Sequence, residues 1–300
     1  MLDTVRILDA EWVDYELLDS GERQKLERFG HCMVIRPEPK AWWSPLRPDL
    51  WDRAHARFVD KGSYDSHWEF SGKFSPPVLE YGKIKFSTKF MDGSKHLGVF
   101  PEQKPHWEYI DEKLAGFVPY SERGMEINRP RVLNLFGYTG GASLVAAEAG
   151  AFVTHVDASK PSIDWARKNQ SISGLPSNSI RWILDDALKF VRREERRGAR
   201  YEAIILDPPA FGRGPRGELW KLEKMLPELL ASCSNLLSSK PMFVLMTLYS
   251  IEASSLMAAN MIRQYFSRRI KPVVECGELV LKPSGNGLVL PLSIWAKADF

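Results

Sequence analysis

Residues 131–143 read Arg131-Val-Leu-Asn134-Leu-Phe136-Gly137-Tyr138-Thr139-Gly140-Gly141-Ala142-Ser143. The opening run is mostly apolar and does not alternate, the pattern of a strand buried on both faces. Glycines directly after it let the backbone turn sharply and approach a ligand closely. The small residues that follow favour a helix, whose first turn offers free amide N–H groups. In open α/β sheets ligands bind beyond the carboxyl ends of the strands. The dinucleotide fingerprint Gly-x-Gly-x-x-Gly is not met, because Thr139 stands where its second glycine belongs. A nicotinamide-dependent oxidoreductase is disfavoured on that ground.

Downstream, strand and helix patterns alternate. Phe152-Val-Thr-His-Val-Asp157 is a second strand, Ile180 to Leu184 a third, Ala203-Ile-Ile-Leu a fourth and Met242 to Met246 a fifth. Helical stretches follow them at Ser162–Ser171, Leu188–Arg197, within Glu218–Leu237 and at Ser254–Tyr265. Two last strands, near Ile270–Cys276 and Leu288–Trp295, have no long helix between them. Such alternation predicts a parallel sheet covered on both faces, closed by an antiparallel hairpin.

Upstream, residues 1 to 118 differ in character. They carry frequent prolines, and five of the ten tryptophans (Trp12, Trp42, Trp43, Trp51, Trp68) fall in the first 70 residues. Proline is poorly tolerated inside helices and central strands, so short strands and turns are predicted, as at Cys32–Arg36 and Lys83–Phe90. Trp107–Phe117 has helical spacing and serves as a connecting helix. The expected division is a mainly-β domain at 1–118 and an α/β domain at 119–300.

Composition is that of an ordinary globular chain, with 300 residues, 44% hydrophobic and 26% charged. Net charge is +3, short of the excess typical of a nucleic-acid coating protein. No apolar run approaches the roughly 18 residues that span a bilayer. The start carries acids where a secretory signal would carry bases, so a cytoplasmic location and no membrane association are expected. Cys32, Cys233 and Cys276 are read as reduced thiols, and the six histidines lack metal-ligand spacing, so no metal is expected.

The strand ends carry the candidate chemistry. Asp157 lies 20 residues after Gly137, where an acid can accept the ribose hydroxyls of an adenosine ligand. Asp186, after the third strand, is the candidate acceptor for an adenine amino group, with Asp185 as the helix cap or a surface residue. The fourth strand ends Asp207-Pro208-Pro209-Ala210-Phe211-Gly212-Arg213-Gly214-Pro215-Arg216. Its prolines make a stiff loop. Asp207 and Pro208 are candidate catalytic groups, Phe211 can stack on a planar base, and Arg213 and Arg216 can reach phosphates. The mixed-sign run Arg192–Arg200 fits a solvated helix face better than an RNA clamp.

Together, Asn-Leu-Phe-Gly-Tyr-Thr-Gly-Gly, Val-Asp157-Ala-Ser, Asp185-Asp186-Ala and Asp207-Pro-Pro-Ala-Phe resemble the class I S-adenosylmethionine-dependent methyltransferases. Over about residues 80–300 the chain is most similar to the bacterial large-subunit rRNA group that modifies cytosine C5 or guanine. The resemblance implies a Rossmann-like seven-stranded sheet with the last strand antiparallel and S-adenosylmethionine as cofactor. It implies cofactor contacts at Asn134, Phe136, Gly137, Thr139, Gly140, Asp157, Asp186 and Asp207. Tyr138, Ala158 and Ala187 are their neighbours in the same turns. Upstream, His96-Leu-Gly-Val-Phe100-Pro-Glu102-Gln103 resembles the segment that closes over the cofactor, with Phe100 and Gln103 toward its methionine end.

One departure bears on the acceptor. Cytosine-C5 members carry a Thr-Cys-Ser type sequence after the fifth strand, whereas this chain has Met246-Thr247-Leu248-Tyr249-Ser250. Carbon-5 of a pyrimidine needs a cysteine to add to the ring first. Methylation of a nitrogen on an RNA base is therefore expected, although Ala210, between the second proline and Phe211, departs from the usual nitrogen pattern too. A small-molecule or protein substrate, and a non-catalytic RNA-binding relic, are the alternatives.

Overall fold

The computed structural model describes residues 4–62, 65–249, 251–267, 270–285 and 287–300. They form two compact units. One comprises the described residues of 1–7, 106–278 and 293–300, the other residues 8–105 and 279–292.

The first unit is built around central strands, Arg131–Leu135, Ala203–Leu206 and Phe243–Tyr249, whose apolar side chains are buried on both faces, as the non-alternating runs predict. The sheet has eight strands in the order Val5–Asp9, Val273–Leu281, Leu290–Asp299, Phe243–Tyr249, Ala203–Leu206, Arg131–Leu135, Phe152–Asp157, Ile180–Leu184. The last five pair in parallel. Leu290–Asp299 runs antiparallel to Phe243–Tyr249. Helices Gly141–Glu148, Lys160–Ile172, Ala187–Arg196, Leu222–Asn235 and Ser255–Phe266 connect the strands. The core joins Leu133, Leu135, Ile204, Leu206, Val244 and Met246 of the strands to Phe190, Leu229, Leu230 and Ile262 of the helices, all fully buried. Each such side chain contributes roughly 1.5–3 kcal/mol by leaving water.

The sheet is a methyltransferase-type α/β sheet with one strand more than the seven expected. The extra strand, Val5–Asp9, lies at the edge and leaves Val5 and Ile7 exposed, so it carries no buried run for sequence reading to detect. Its fit needs Gly277, where an added Cβ would lie 1.8 Å from the Arg6 carbonyl oxygen, and the Arg6 guanidinium pairs with Glu275 at 2.7 Å.

The units divide differently from the 118/119 boundary. Helix Lys104–Ala115 buries Trp107, Ile110 and Leu114. The Trp107 ring lies 3.2 Å from the Cβ position of Gly141, so the helix from His106 onward belongs with the sheet. Residues 279–292 belong to the other unit, a return that no local pattern announces.

The second unit has a five-stranded sheet in the order Tyr15–Gly21, Gln24–Phe29, Cys32–Pro37, Ala56–Val59, His67–Phe70, and a hairpin of Val78–Tyr81 with Ile84–Ser87. Leu26, Phe29, Val34 and Ile35 are buried, but so is a set of charges. Glu27 is fully buried and accepts two bonds of 2.6 Å from Arg36 and one of 2.8 Å from the Tyr15 hydroxyl. Lys25 lies 3.5 Å from it. Burial alone would raise the Glu27 carboxyl, but Arg36 and Lys25 outweigh burial and hold it down at about 2.

Candidate functional site: the carboxyl rim of the parallel sheet

Strand pairing gathers the predicted acids. Arg131–Leu135 sits between Phe152–Asp157 and Ala203–Leu206, with Leu135 opposite Val156 and Leu206. Asp157 pairs with Leu184 at the end of the third strand. The first loop, Asp157, the Asp185-Asp186 pair and Asp207 therefore leave neighbouring strands at the same rim. The Asp207 N–H donates to the Leu135 carbonyl at 3.3 Å, and the Asp185 N–H to the Asp157 carbonyl at 3.2 Å.

The first loop is wound tightly. Phe136 and Tyr138 both adopt left-handed backbone, with φ of 60° and 50°. Each such non-glycine residue costs roughly 1–3 kcal/mol, a strain that persists only where the surroundings enforce it. The Asp157 carboxylate is one such constraint: Oδ2 accepts from the Tyr138 N–H and Oδ1 from the Ser159 N–H, both at 2.8 Å. Burial raises this carboxyl, while those amides pull it back down. Asp157 and Ala158 stay half-buried at the rim. A carboxylate has about four acceptor sites, so acceptor capacity remains for an incoming hydroxyl.

Beneath the loop lies a buried polar chain that sequence reading missed. The Asn134 side-chain amide donates to Ser143 Oγ at 2.8 Å, and Ser143 Oγ lies in hydrogen-bond contact with His155 Nδ1 at 2.9 Å. Asn134 thus turns inward, at 2% exposure. His155 is fully buried, its ring 4.6 Å from that of Trp182, and burial pushes its pKa down to about 3. Gly137 exists for this ring. A Cβ there would lie 2.4 Å from His155 Cε1, so its close approach is to the imidazole. Gly140, at φ 94°, begins helix Gly141–Glu148 in left-handed backbone suited to glycine. Thr139 is buried, and its carbonyl accepts from Asn169.

The third rim segment reverses one assignment. Asp186, not Asp185, caps the helix: its Oδ1 accepts from the Lys189 N–H at 2.9 Å, and it is buried beside Ala187. Asp185 pairs with Arg193 at 2.7 Å and accepts from the Asp186 N–H. The local sequence offers two adjacent acids with equal claims. Only the helix geometry separates them.

The fourth loop closes into a hairpin of Phe211–Arg213 with Leu219–Lys221. Trp220, not identified from sequence, is its anchor: the indole N–H donates to the Pro209 carbonyl at 2.7 Å and the ring lies 4.9 Å from Phe136. Phe211 is 56% exposed, and Arg213 and Arg216 are exposed. Glu218 accepts from the Arg216 N–H at 2.9 Å, and a hydrogen bond from the Lys189 ammonium helps hold its carboxyl at about 2. The Arg192–Arg200 run is more paired than a solvated face. Arg192 pairs with Glu228, Arg193 with Asp185, and Arg197 with the buried Glu194, which also accepts from the Tyr201 hydroxyl at 2.9 Å.

At the end of the fifth strand Leu248 is buried, and Thr247 Oγ1 lies 3.2 Å from His106 Nδ1. Ser250 lies outside the described residues. All three cysteines are buried, and burial raises the Cys32 thiol to about 11 and pushes Cys233 higher. Phe100 and Gln103 belong to the second unit. There Phe100 lies 5.1 Å from the His96 ring, and its carbonyl accepts from the Gln103 N–H. Among the described residues, no three His, Cys, Asp or Glu side chains come together as a metal site, and no helix is long and apolar enough to cross a membrane.

This donor set fits an adenosyl ligand: carboxylates at successive strand ends accept from hydroxyl and amino groups. Residues 122–264 match the family of S-adenosylmethionine-dependent methyltransferases. The structure of a SAM-dependent methyltransferase from Agrobacterium tumefaciens superposes with a TM-score of 0.89 at 42% identity, covering 98% of this chain and 93% of that one. The chain belongs to the S-adenosylmethionine-dependent methyltransferases. Among curated relatives, ribosomal RNA large subunit methyltransferase I of Photobacterium profundum is 42% identical over 135 residues, 45% of this chain and 30% of that protein. Ribosomal RNA large subunit methyltransferase K/L of Shewanella frigidimarina is 38% identical over 161 residues, 53% of this chain and 20% of that protein. The chain thus spans less than a third of the length of either.

Proposed function

We propose that this protein methylates a nitrogen of a base in RNA, with ribosomal RNA as the substrate. The observation that carries the reading is the fourth rim segment, where the Asp207-Pro208 turn leads into the exposed Phe211 and two arginines. Relatives that bear the name of large-subunit rRNA methyltransferases support RNA as the substrate class. The burial of every cysteine, with Leu248 at the end of the fifth strand, supports nitrogen over carbon-5, since no thiol is presented to attack a ring.

S-adenosylmethionine, when bound, supplies an electrophilic methyl group on a sulfonium. Asp157 accepts the ribose hydroxyls, and the second oxygen of Asp186 accepts from the adenine amine. The first loop, from Asn134 to Gly140, encloses the adenosyl group. Phe211 stacks on the target base, and Arg213 and Arg216 hold flanking phosphates. The Asp207 carboxylate and the Pro208 carbonyl accept hydrogen bonds from the target amine and orient its lone pair; as the nitrogen takes the methyl and the methyl–sulfur bond breaks, the Asp207 carboxylate receives the proton that the amine sheds. Alignment of this kind can supply most of the rate for a transfer that needs no covalent intermediate.

The test is nucleoside mass spectrometry of unmethylated ribosomal RNA incubated with the protein and S-adenosylmethionine. An N-methylated base is expected, lost in Asp207→Ala. 5-Methylcytidine would overturn the nitrogen assignment, and transfer only to non-RNA substrates would overturn the RNA assignment.

A further inference from the structure

The second unit holds an open cleft of about 400 Å³, whose walls include Glu22, Gln24, Pro45, Pro48, Trp51 and Arg57. None of these residues takes part in the rim described above. The walls are held firmly. The Trp51 indole N–H donates to Asp19 Oδ2 at 2.9 Å, and the same buried carboxylate accepts from the backbone N–H of Arg47 at 2.9 Å and of Leu46 at 3.3 Å. Gly21 lets the Pro45 segment lie directly on its strand, since a Cβ there would meet Pro45 N at 2.3 Å. Glu22 stands in a two-residue hairpin turn with Arg23, both in left-handed backbone at φ 50° and 62°. Such turns favour Asn-Gly, so this pair is a strained choice. It is fixed by bonds from the Glu22 N–H to the Trp43 carbonyl and from the Arg23 N–H to the Ala41 carbonyl, both 2.7 Å.

The lining has a definite chemistry. A fixed indole and two prolines provide flat apolar surface, a guanidinium provides a planar cation, and a carboxylate and an amide provide edge-reading groups. Flat aromatic surface binds bases by stacking, and arginine suits phosphate. A carboxylate accepts only, so it selects a base edge with two adjacent donors. Of the four RNA bases guanine alone offers these, at N1 and N2. Adenine and cytosine set an acceptor beside their amine, which the carboxylate repels. The volume lies at the lower end of small-ligand pockets, the scale of a single nucleotide.

We propose that this cleft seats one unpaired guanine nucleotide of the RNA substrate, its base on Trp51, its N1 and N2 donors on Glu22 and its phosphate on Arg57. The inference rests on the RNA reading above and adds a second, non-catalytic point of recognition.

The test uses the full chain saturated with S-adenosylhomocysteine, so that the cofactor site is filled, and titrates 5′-GMP, 5′-AMP and guanosine by calorimetry. GMP should bind about tenfold more tightly than AMP. Glu22→Gln should abolish that preference, and Arg57→Ala should weaken GMP about tenfold while leaving guanosine unchanged. For a short single-stranded RNA with one guanine, Arg57→Ala should lower the salt slope of binding by about one. Both residues are exposed, so thermal melts should show the variants folded. Failure of wild type to bind GMP, equal binding of GMP and AMP, or variants indistinguishable from wild type would overturn the cleft assignment even where RNA methylation proceeds. GMP binding in the cleft without RNA methylation would instead leave the cleft standing and remove the function proposed above.

Discussion

The two units fill their interiors with different shares of apolar and charged groups. In the first, fully buried strand positions such as Leu133, Ile204 and Val244 are apolar, and the sheet's order follows from helices that must cover both faces. In the second, buried strand positions hold Glu27, Lys25 and Arg36, with Glu27 fully buried, and specificity comes from pairing of charge. The difference teaches where tolerance lies. An apolar core accepts volume-conserving exchange, whereas a buried charge set depends on each member, because removing one leaves another unpaired.

The largest effect should come from breaking that set. Glu27→Ala strands Arg36 in the interior and should destabilise the protein by about 3–5 kcal/mol in denaturant unfolding. A loss under about 1 kcal/mol would show that the buried charges relax toward water, and the contrast drawn between the two interiors would fail. Next in size, Asp157→Ala should weaken S-adenosylmethionine binding by about 2 kcal/mol, roughly thirtyfold, read by calorimetry. Unchanged affinity would separate the strained first loop from cofactor binding. The smallest effect tests the reversed cap. Asp186→Ala should cost about 1 kcal/mol of stability from the lost bond to the Lys189 N–H. A larger loss from Asp185→Ala than from Asp186→Ala would restore the order read from sequence.

Much of the rim was legible before any coordinates. Asp157 and Asp207 each close a short run with strand-like composition, so a strand end could be read directly and a carboxylate placed on it. The exchange between Asp185 and Asp186 was not legible, because capping depends on which residue leaves the strand with extended backbone. Trp220 was hidden for a related reason. Its partner, the Pro209 carbonyl, is eleven residues away across a hairpin that Gly-Pro-rich sequence does not advertise. The strand Val5–Asp9 lacked a buried run altogether, and its place beside Val273–Leu281 is a pairing across more than 260 residues.

The sequence by itself determined the alternation of strand and helix and the residues that stand at each strand's carboxyl end, because these depend on local periodicity; the family came from the resemblance of its motifs. Only the tertiary structure decided which polar side chains face inward. Asn134, Ser143 and His155 form a chain under the loop, Glu27 and Arg36 a pair in a core, and Gly137 makes room for an imidazole eighteen positions on. Burial of a polar group is tolerable only with its partner in place, and that partner is supplied by a distant part of the chain.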